Sequence, residues 1–513
     1  MNNPFTPAVP MQAEAVILLR DADDPKVFWV QRSRKLAFMG GWHAFPGGKR
    51  DADDDRIPLH GSTEKPARGI AAIRELFEET GVLLVRGAEK LSAGRLAQFR
   101  LKLERNELTF SELLERESLQ ADAALLQSAG RRITPAFMPR RFDTHFFAAW
   151  LPPGQEAHSV SGEHESGEWI RPQAALHRWR QGEVLLAEPT LRILQELDRD
   201  ITSFAERLSQ MSATDFDTPQ RLEFRQGFIL CPLRTPTIPP ATHTNCFIVG
   251  DRELVVIDPG SPWPEEQKIL DDLLDELLRE GRRVREILIT HLHPDHIGGV
   301  MHLADRFNIP VAAHRLTAAA IVDRVRVDRF IEDDDVIDLG GDPGWKLRVL
   351  WTPGHARGHL SFYEERTGTL MTGDCVVGLG TVVIAPPEGE MKPYLDSLHR
   401  LLALPRLTAL FPAHGPVIAD ARSRIEEYIR HRYEREAQIL EAIASKLRSI
   451  PEIVKVIYPD LPDSHLPLAA LSIQAHLEKL EAEGQVDRSS FPSDSSSRKI
   501  FAGVLTSISS PPE

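Results

Sequence analysis

The run His291-Leu292-His293-Pro294-Asp295-His296 constrains this 513-residue chain more than any other feature. It follows directly on the strand-like Ile287-Leu288-Ile289-Thr290. Two imidazoles one residue apart therefore leave a strand end together, aimed at one cation, while the next turn carries a carboxylate and a third imidazole toward a second. Further donors recur where other short apolar runs end: His355 in Thr352-Pro353-Gly354-His355, Asp374 in Thr372-Gly373-Asp374, and His414 in Pro412-Ala413-His414-Gly415. A single loop histidine is more often solvated than metal-bound. Seven N and O donors on rigid strand ends instead suit two borderline divalent ions such as Zn²⁺.

The surrounding rhythm supports that placement. Leu254-Val255-Val256-Ile257-Asp258, Leu347-Arg348-Val349-Leu350-Trp351 and Thr369-Leu370-Met371-Thr372 are apolar strands ending in polar loops, with helical stretches such as 265–280 between some of them. Sheets covered by helices, with chemistry at strand ends, are expected for residues 226–425. At this length about three domains are expected. Residues 10–200 read as mixed α and β and 201–225 as a polar linker. Residues 426–513 read as helices followed by a Ser-rich turn at 489–497 and the strand-like Lys499-Ile500-Phe501-Ala502, the pattern of a small winged-helix unit.

The formal charge of -14 argues against a broad basic surface for coating nucleic acid. No apolar run approaches the roughly 18 residues of a membrane span, and Met1 to Gln12 carry no secretory pattern, so a cytoplasmic location is expected. With only Cys231, Cys246 and Cys375, no disulfide framework is expected.

The H-x-H-x-D-H pattern with its separate His, Asp and His resembles the metallo-β-lactamase fold superfamily. That resemblance implies a four-layer αββα sandwich, with His291, His293 and His355 holding one metal, Asp295, His296 and His414 the other, and Asp374 bridging them. Two Zn²⁺ or other divalent transition metals would lower the pKa of bound water toward roughly 7. The resulting hydroxide suits attack on an ester, thioester or phosphodiester, with Asp295 orienting it or passing a proton to the leaving group. The run Thr352-Pro353-Gly354-His355-Ala356-Arg357-Gly358-His359 is similar to glyoxalase II and thioesterase-like branches. The helix through His431-Arg432-Tyr433-Glu434, with its winged-helix-like tail, resembles the β-lactamase-like protein 2 group, which implies endoribonuclease activity on single-stranded RNA. Arg424, Arg430, Arg432, Arg435 and Lys446 would form a basic edge on this helix, unless Glu426, Glu427, Glu434 and Glu436 make it an ordinary solvated face. His359 is expected to orient a ligand through a hydrogen bond, and Cys375 to be a buried structural residue.

A second signal is Arg74-Glu75-Leu76-Phe77-Glu78-Glu79-Thr80-Gly81-Val82. On a helix, Glu75, Glu78 and Glu79 share one face; like charges at this spacing cost a few tenths of a kcal/mol each, and a hard cation is the usual reason to collect them. Together with Phe45-Pro46-Gly47-Gly48 the run resembles the Nudix box, G-x5-E-x7-R-E-U-x-E-E-x-G-U. An insertion containing Asp51, Asp53, Asp54 and Asp55 roughly doubles the spacing between Gly48 and Arg74 and leaves no clear counterpart of the first Glu of the box. Gln31-Arg32-Ser33, Phe38-Met39-Gly40-Gly41 and Pro139-Arg140-Arg141-Phe142-Asp143-Thr144 look like the Nudix 19 type of acyl-coenzyme A diphosphatase, although Ala37 stands where that group's motif has a further Arg. The resemblance implies an α/β/α sandwich in which Mg²⁺ or Mn²⁺ on Glu75, Glu78 and Glu79 activates water against a diphosphate linkage, with Arg74 orienting a Glu.

The whole chain is thus expected to be an α+β and α/β multidomain, metal-dependent hydrolase with two centres, acting on a small nucleotide or coenzyme A-type substrate. The competing expectation is an RNA-processing hydrolase whose Nudix domain binds a regulatory ligand.

Overall fold

The computed structural model describes residues 6–36, 38–61, 66–159, 162–211 and 221–487. These divide into two compact units, Thr6–Gln226 and the residues from Gly227 onward.

In the first unit a mixed sheet runs in the order His43–Ala44, Lys26–Arg32, Met11–Arg20, Phe142–Trp150, Gln127–Ile133, with Gly47–Lys49 paired to Met11–Arg20 and His164–Ile170 to Lys26–Arg32. Alternation along the first strand feeds both faces. Val16 and Leu18 pack with Ile70, Ile73 and Phe77 of the helix Pro66–Thr80, whereas Ile17 and Leu19 pack with Leu176, Leu194 and Leu208 on the opposite side. The result is the α/β/α sandwich. The helix begins at a proline, whose missing N–H costs nothing at the first turn. It ends where Gly81, at φ 76°, turns its N–H back to the Phe77 carbonyl.

Part of the stretch read as a linker is ordered into this unit. Phe204–Gln210 is a helix whose Phe204, Ala205 and Leu208 are buried in the core. Three apolar residues over two turns suffice to bury such a segment, yet give too little periodicity to recognise in sequence.

In the second unit the strands Arg329–Phe330, Val311–Ala313, Arg283–Leu288, Glu253–Ile257, His243–Gly250 and Phe228–Arg234 lie in that order in one sheet. A second, five-stranded sheet has the order Val336–Gly340, Trp345–Trp351, Leu360–Glu364, Thr369–Gly373, Ala409–Pro412. Phe228 and Phe247 from one sheet meet Trp345 and Phe411 from the other, with ring centroids 5.4–5.7 Å apart. Helices Pro264–Arg279 and Val300–Phe307 cover the outer face of the first sheet, and Met391–Leu402 and Ala421–Ala444 that of the second. This is the four-layer αββα order.

The helix Ala421–Ala444 runs straight through the expected boundary at 425/426. Its Ile425 and Tyr428 pack against the second sheet's core, while Ile439 and Ala442 nucleate a smaller core with helices Ile450–Ile457 and Leu466–Ala482. The turn at 489–497 and the strand-like Lys499–Ala502 lie outside the described residues, as does Ala37. No described helix is long and apolar enough to cross a membrane.

Candidate metal centres

The His/Asp ligand candidates converge where both sheets end. His291 and His293 follow the strand Arg283–Leu288, Asp295 and His296 lie on the single turn Pro294–Ile297, and His355, Asp374 and His414 each follow a strand of the second sheet. Asn245 ties the sheets together at this edge: its side-chain amide donates to the Pro412 and Gly415 carbonyls, both at 2.8 Å, on either side of His414.

Two groups result, His291/His293/His355/Asp374 and Asp295/His296/His414. In the first, His293 Nδ1 is 2.8 Å from His291 Nε2 and 3.0 Å from His355 Nε2, and Asp374 Oδ2 is 3.6 Å from His355 Nε2. In the second, His414 Nε2 is 3.3 Å from Asp295 Oδ2, and His296 Nε2 is 3.9 Å from it. Asp374 Oδ1 faces this second group, 3.6 Å from His296 and 3.4 Å from His414.

Donor chemistry and electrostatics both suit divalent cations. Buried His296 Nε2, His414 Nε2 and Asp374 Oδ1 make no hydrogen bond among the described residues, an arrangement that a protein normally avoids. Burial holds His293 down to about 3, in the neutral form that ligates. Burial also opposes charge on His414, but Asp374 and then Asp295 outweigh it and push the ring up to about 10. The carboxylates thus impose a demand for positive charge at the second group.

The opposite ring nitrogens are anchored. Asp258 Oδ1 accepts from the Thr290 N–H at 2.8 Å and Oδ2 from the Thr290 hydroxyl at 2.6 Å, while His296 Nδ1 donates to the same Oδ2 at 2.8 Å. The Thr290 hydroxyl in turn accepts from His291 Nδ1 at 2.9 Å. One buried carboxylate therefore fixes the tautomer of a histidine in each group, with Nε2 of each turned toward its own group. In the sequence Asp258 stands only at the end of a strand; its positive φ of 51° and its partners Thr290 and His296 arise from the fold. Replacing Asp258 with Ala is expected to lower metal affinity about 10–100-fold, measured by competition with a chromophoric chelator.

His359 Nε2 accepts from the Asp374 N–H at 3.1 Å, and its Nδ1 donates to the Thr352 hydroxyl at 2.9 Å. Its ring thus holds the Asp374 backbone rather than facing the cavity. Cys375 is buried, and burial pushes its thiol up to about 12.

The basic residues of the long helix do not line up. Arg432 is buried and donates to the Val382 carbonyl at 2.6 Å, Arg424 reaches the Val377 and Gly380 carbonyls, Arg430 faces Glu434 at 3.7 Å, and Arg435 lies over Tyr458. The spacing suggested one edge; packing turns two of these guanidinium groups inward.

In the first unit Arg74 organises the carboxylate face. It donates through Nη1 to Glu75 at 2.9 Å and Glu78 at 3.0 Å, and through Nη2 to the Lys49 carbonyl at 2.8 Å. Through Nε and Nη2 it grips both oxygens of the fully buried Asp54, at 2.9 and 3.0 Å. The insertion therefore supplies the carboxylate partner that the sequence lacked, on a short helix where Asp51 and Asp54 cap each other. Glu79 accepts from the Gly47 N–H at 2.8 Å. A side chain at Gly48 would collide with the Glu75 carboxylate, so the glycine opens the space beside it. Burial pushes Glu75 up to about 7 and raises Glu78, Arg74 notwithstanding, and it raises Glu79 against the Gly47 N–H and Arg32. A cation would offset this strain among three carboxylates.

Each centre opens into a cavity. The one at Glu75 has about 770 Å³ and is walled by apolar side chains including Leu36, Phe45, Met138, Phe142 and Phe224, with Arg32 and Arg132 at its polar side. The one at His293, Asp295 and His414 has about 330 Å³ and is flanked by Ile238, Val382, Leu461 and Leu468.

Family profiles match in the same places: the Metallo-beta-lactamase superfamily over residues 239–414, the Beta-lactamase associated winged helix domain over 449–492, the NUDIX domain over 10–111 and the NUDT19 Nudix domain over 62–197. The beta-lactamase-like protein 2 homolog of Drosophila melanogaster is 32% identical over 253 residues, 47% of this chain and 84% of the relative. Its Caenorhabditis elegans counterpart is 30% identical, over 48% and 82% of the two chains. Among solved structures, a metallo-beta-lactamase family protein from Thermus thermophilus is 28% identical, covering 51% of this chain and 95% of its own, with a TM-score of 0.40. A NUDIX hydrolase from Alicyclobacillus acidocaldarius is 27% identical, covering 40% and 98%, with a TM-score of 0.33. The metallo-beta-lactamase and winged-helix profiles thus fall in the second unit and the Nudix profiles in the first, and the chain belongs to the beta-lactamase-like protein 2 group of the metallo-beta-lactamase superfamily, a metal-dependent hydrolase that also carries a Nudix domain.

Proposed function

We propose that the chain is a bifunctional hydrolase, cleaving a thioester or other ester-like bond at the His/Asp centre and a nucleoside diphosphate-type linkage at the Glu75/Glu78/Glu79 centre, with coenzyme A derivatives as the shared substrate class. The observation that carries this reading is the large, apolar-walled cavity running up to Glu75. It suits a diphosphate bearing a long, largely apolar arm better than a second nucleotide. The smaller cavity at the His/Asp centre is likewise flanked by apolar side chains, and the inward-turned Arg424 and Arg432 leave little of a basic track for a single strand.

When bound, divalent cations supply a water nucleophile at neutral pH and offset charge on the oxygens of the breaking bond. The residues of the chain position everything else. Asp258 and Thr290 hold two imidazoles with Nε2 inward, and Asp295, at the cavity wall, orients water or passes its proton to the departing thiol or alcohol. In the first unit Arg74 holds Glu75 and Glu78 through one shared nitrogen and offsets part of their charge, and Gly47 fixes one oxygen of Glu79.

The test is a substrate panel of acyl-coenzyme A, dinucleoside polyphosphates and single-stranded RNA. The reading requires release of free thiol and of 3′,5′-ADP from acyl-coenzyme A, the first lost in Asp295→Ala and the second in Glu78→Gln. Cleavage of labelled RNA that vanishes in Asp295→Ala, with no thiol release in wild type, sinks it in favour of RNA processing. Ligand binding without turnover at the first centre, unchanged in Glu78→Gln, would instead make the Nudix domain a regulatory module.

A further inference from the structure

Glu14 lies on the first strand of the Nudix sheet and is only 1% exposed. Neither of its carboxylate oxygens has a hydrogen-bond partner among the described residues. The cations in its neighbourhood are committed elsewhere: Arg68 donates to Gln12 Oε1 at 3.2 Å and to the His145 ring, Arg50 to Asp55, and Arg74 to Asp54, Glu75, Glu78 and the Lys49 carbonyl. A carboxylate buried in this way stays charged only with a cation beside it and otherwise takes up a proton.

Its position shows where that cation would sit. Two-residue alternation puts Glu14 on the face of Val16 and Leu18, which is the face covered by the helix Pro66–Thr80. In the sheet Glu14 stands directly opposite Gly48. Side chains of directly opposed residues project to the same face, with Cβ positions about 5 Å apart. The side chain missing at Gly48 is the one that would strike the Glu75 carboxylate, so strand register brings Glu14 and Glu75 to the same small space. Both line the one cavity.

We propose that Glu14 is a ligand of the divalent cation site, adding a strand carboxylate to those of the helix. The inference rests on the reading that Glu75, Glu78 and Glu79 bind cations. All the donors are carboxylate oxygens, so the ion is a hard one of the Mg²⁺ or Mn²⁺ type. The site then draws on two elements that meet at Gly48, and a glycine there is what lets them share an ion.

The experiment titrates Mn²⁺ into the full chain, its His/Asp centre preloaded with zinc, and follows free Mn²⁺ by electron paramagnetic resonance. Binding lost in Glu79→Gln identifies the first-unit site and tests the underlying reading on its own. Glu14→Gln, which keeps shape and removes charge, is expected to weaken that binding at least about ten-fold. Glu14→Leu is expected to do the same while leaving the cation-free protein as stable as wild type or more so. If both Glu14 variants bind Mn²⁺ with wild-type affinity and stoichiometry while Glu79→Gln does not, Glu14 is a buried structural acid and the proposal is overturned. If Glu79→Gln also binds normally, the underlying reading falls and the proposal with it.

Discussion

Replacing Asp374 with Ala is expected to strip both halves of the His/Asp centre in one step and to lower its turnover on the order of 10³-fold or more, about 4 kcal/mol of barrier. The reason is geometric. The two oxygens of Asp374 face opposite ways, Oδ2 toward His355 and Oδ1 toward His296 and His414. Every other ligand candidate serves one group. Asp374 and Asp295 are also the carboxylates whose field outweighs burial at His414, so the variant loses much of the local demand for positive charge. The side chain is nearly buried and its backbone N–H is held by His359, so the loop has little freedom to bring up a substitute donor. Metal analysis should fall toward zero equivalents in the second unit. Diphosphate hydrolysis at the first centre should persist as the control for intact protein. A variant that keeps two equivalents and near-normal turnover would remove Asp374 from the centre.

The contrast between Asp374 and Asp258 shows what the sequence could reveal. Asp374 stands in a Thr-Gly-Asp turn after an apolar strand, one of several donors at strand ends, and donors so placed can be gathered on paper without knowing strand order. Asp258 also ends a strand, but its partners, Thr290 and His296, reach it only because Glu253–Ile257 and Arg283–Leu288 run side by side in parallel register. Nothing local marks it. The same limit explains the basic edge of the long helix. Spacing put Arg424, Arg432 and Arg435 near one another, but which face turns inward was decided by Ile425, Tyr428 and Ile439 and by carbonyls from the loop at Val377–Val382. Layer order followed from strand rhythm and family likeness, whereas the boundary at 425/426 failed to mark any break because one helix serves two cores. Asp54 shows the limit most directly, since the insertion that obscures the motif also supplies the missing carboxylate.

Asp54→Ala is accordingly expected to destabilise the first unit by about 3–5 kcal/mol, the usual cost of leaving one partner of a buried ion pair alone. Asp54 is fully buried and Arg74 nearly so, and the contact is bidentate, the geometry in which Arg and a carboxylate bind most strongly. Asp54 also accepts from the Asp51 N–H at 2.7 Å, so its loss uncaps the short helix Ala52–Arg56 as well. Function should suffer by a separate route. Freed from Asp54, the guanidinium has Glu75 and Glu78 as its remaining carboxylate partners, and pulling them inward withdraws them from a cation. Diphosphate hydrolysis should therefore fall further than the loss of folded protein explains, and raising Mg²⁺ or Mn²⁺ should recover part of it. Urea unfolding of wild type, Asp54→Ala, Arg74→Met and the double variant separates the two effects. If the pair is what matters, the double variant is less destabilised than the two single losses added together. A single Asp54→Ala variant within about 0.5 kcal/mol of wild type, the range of ordinary surface changes, would show that Arg74 is held well enough by Glu75, Glu78 and the Lys49 carbonyl alone.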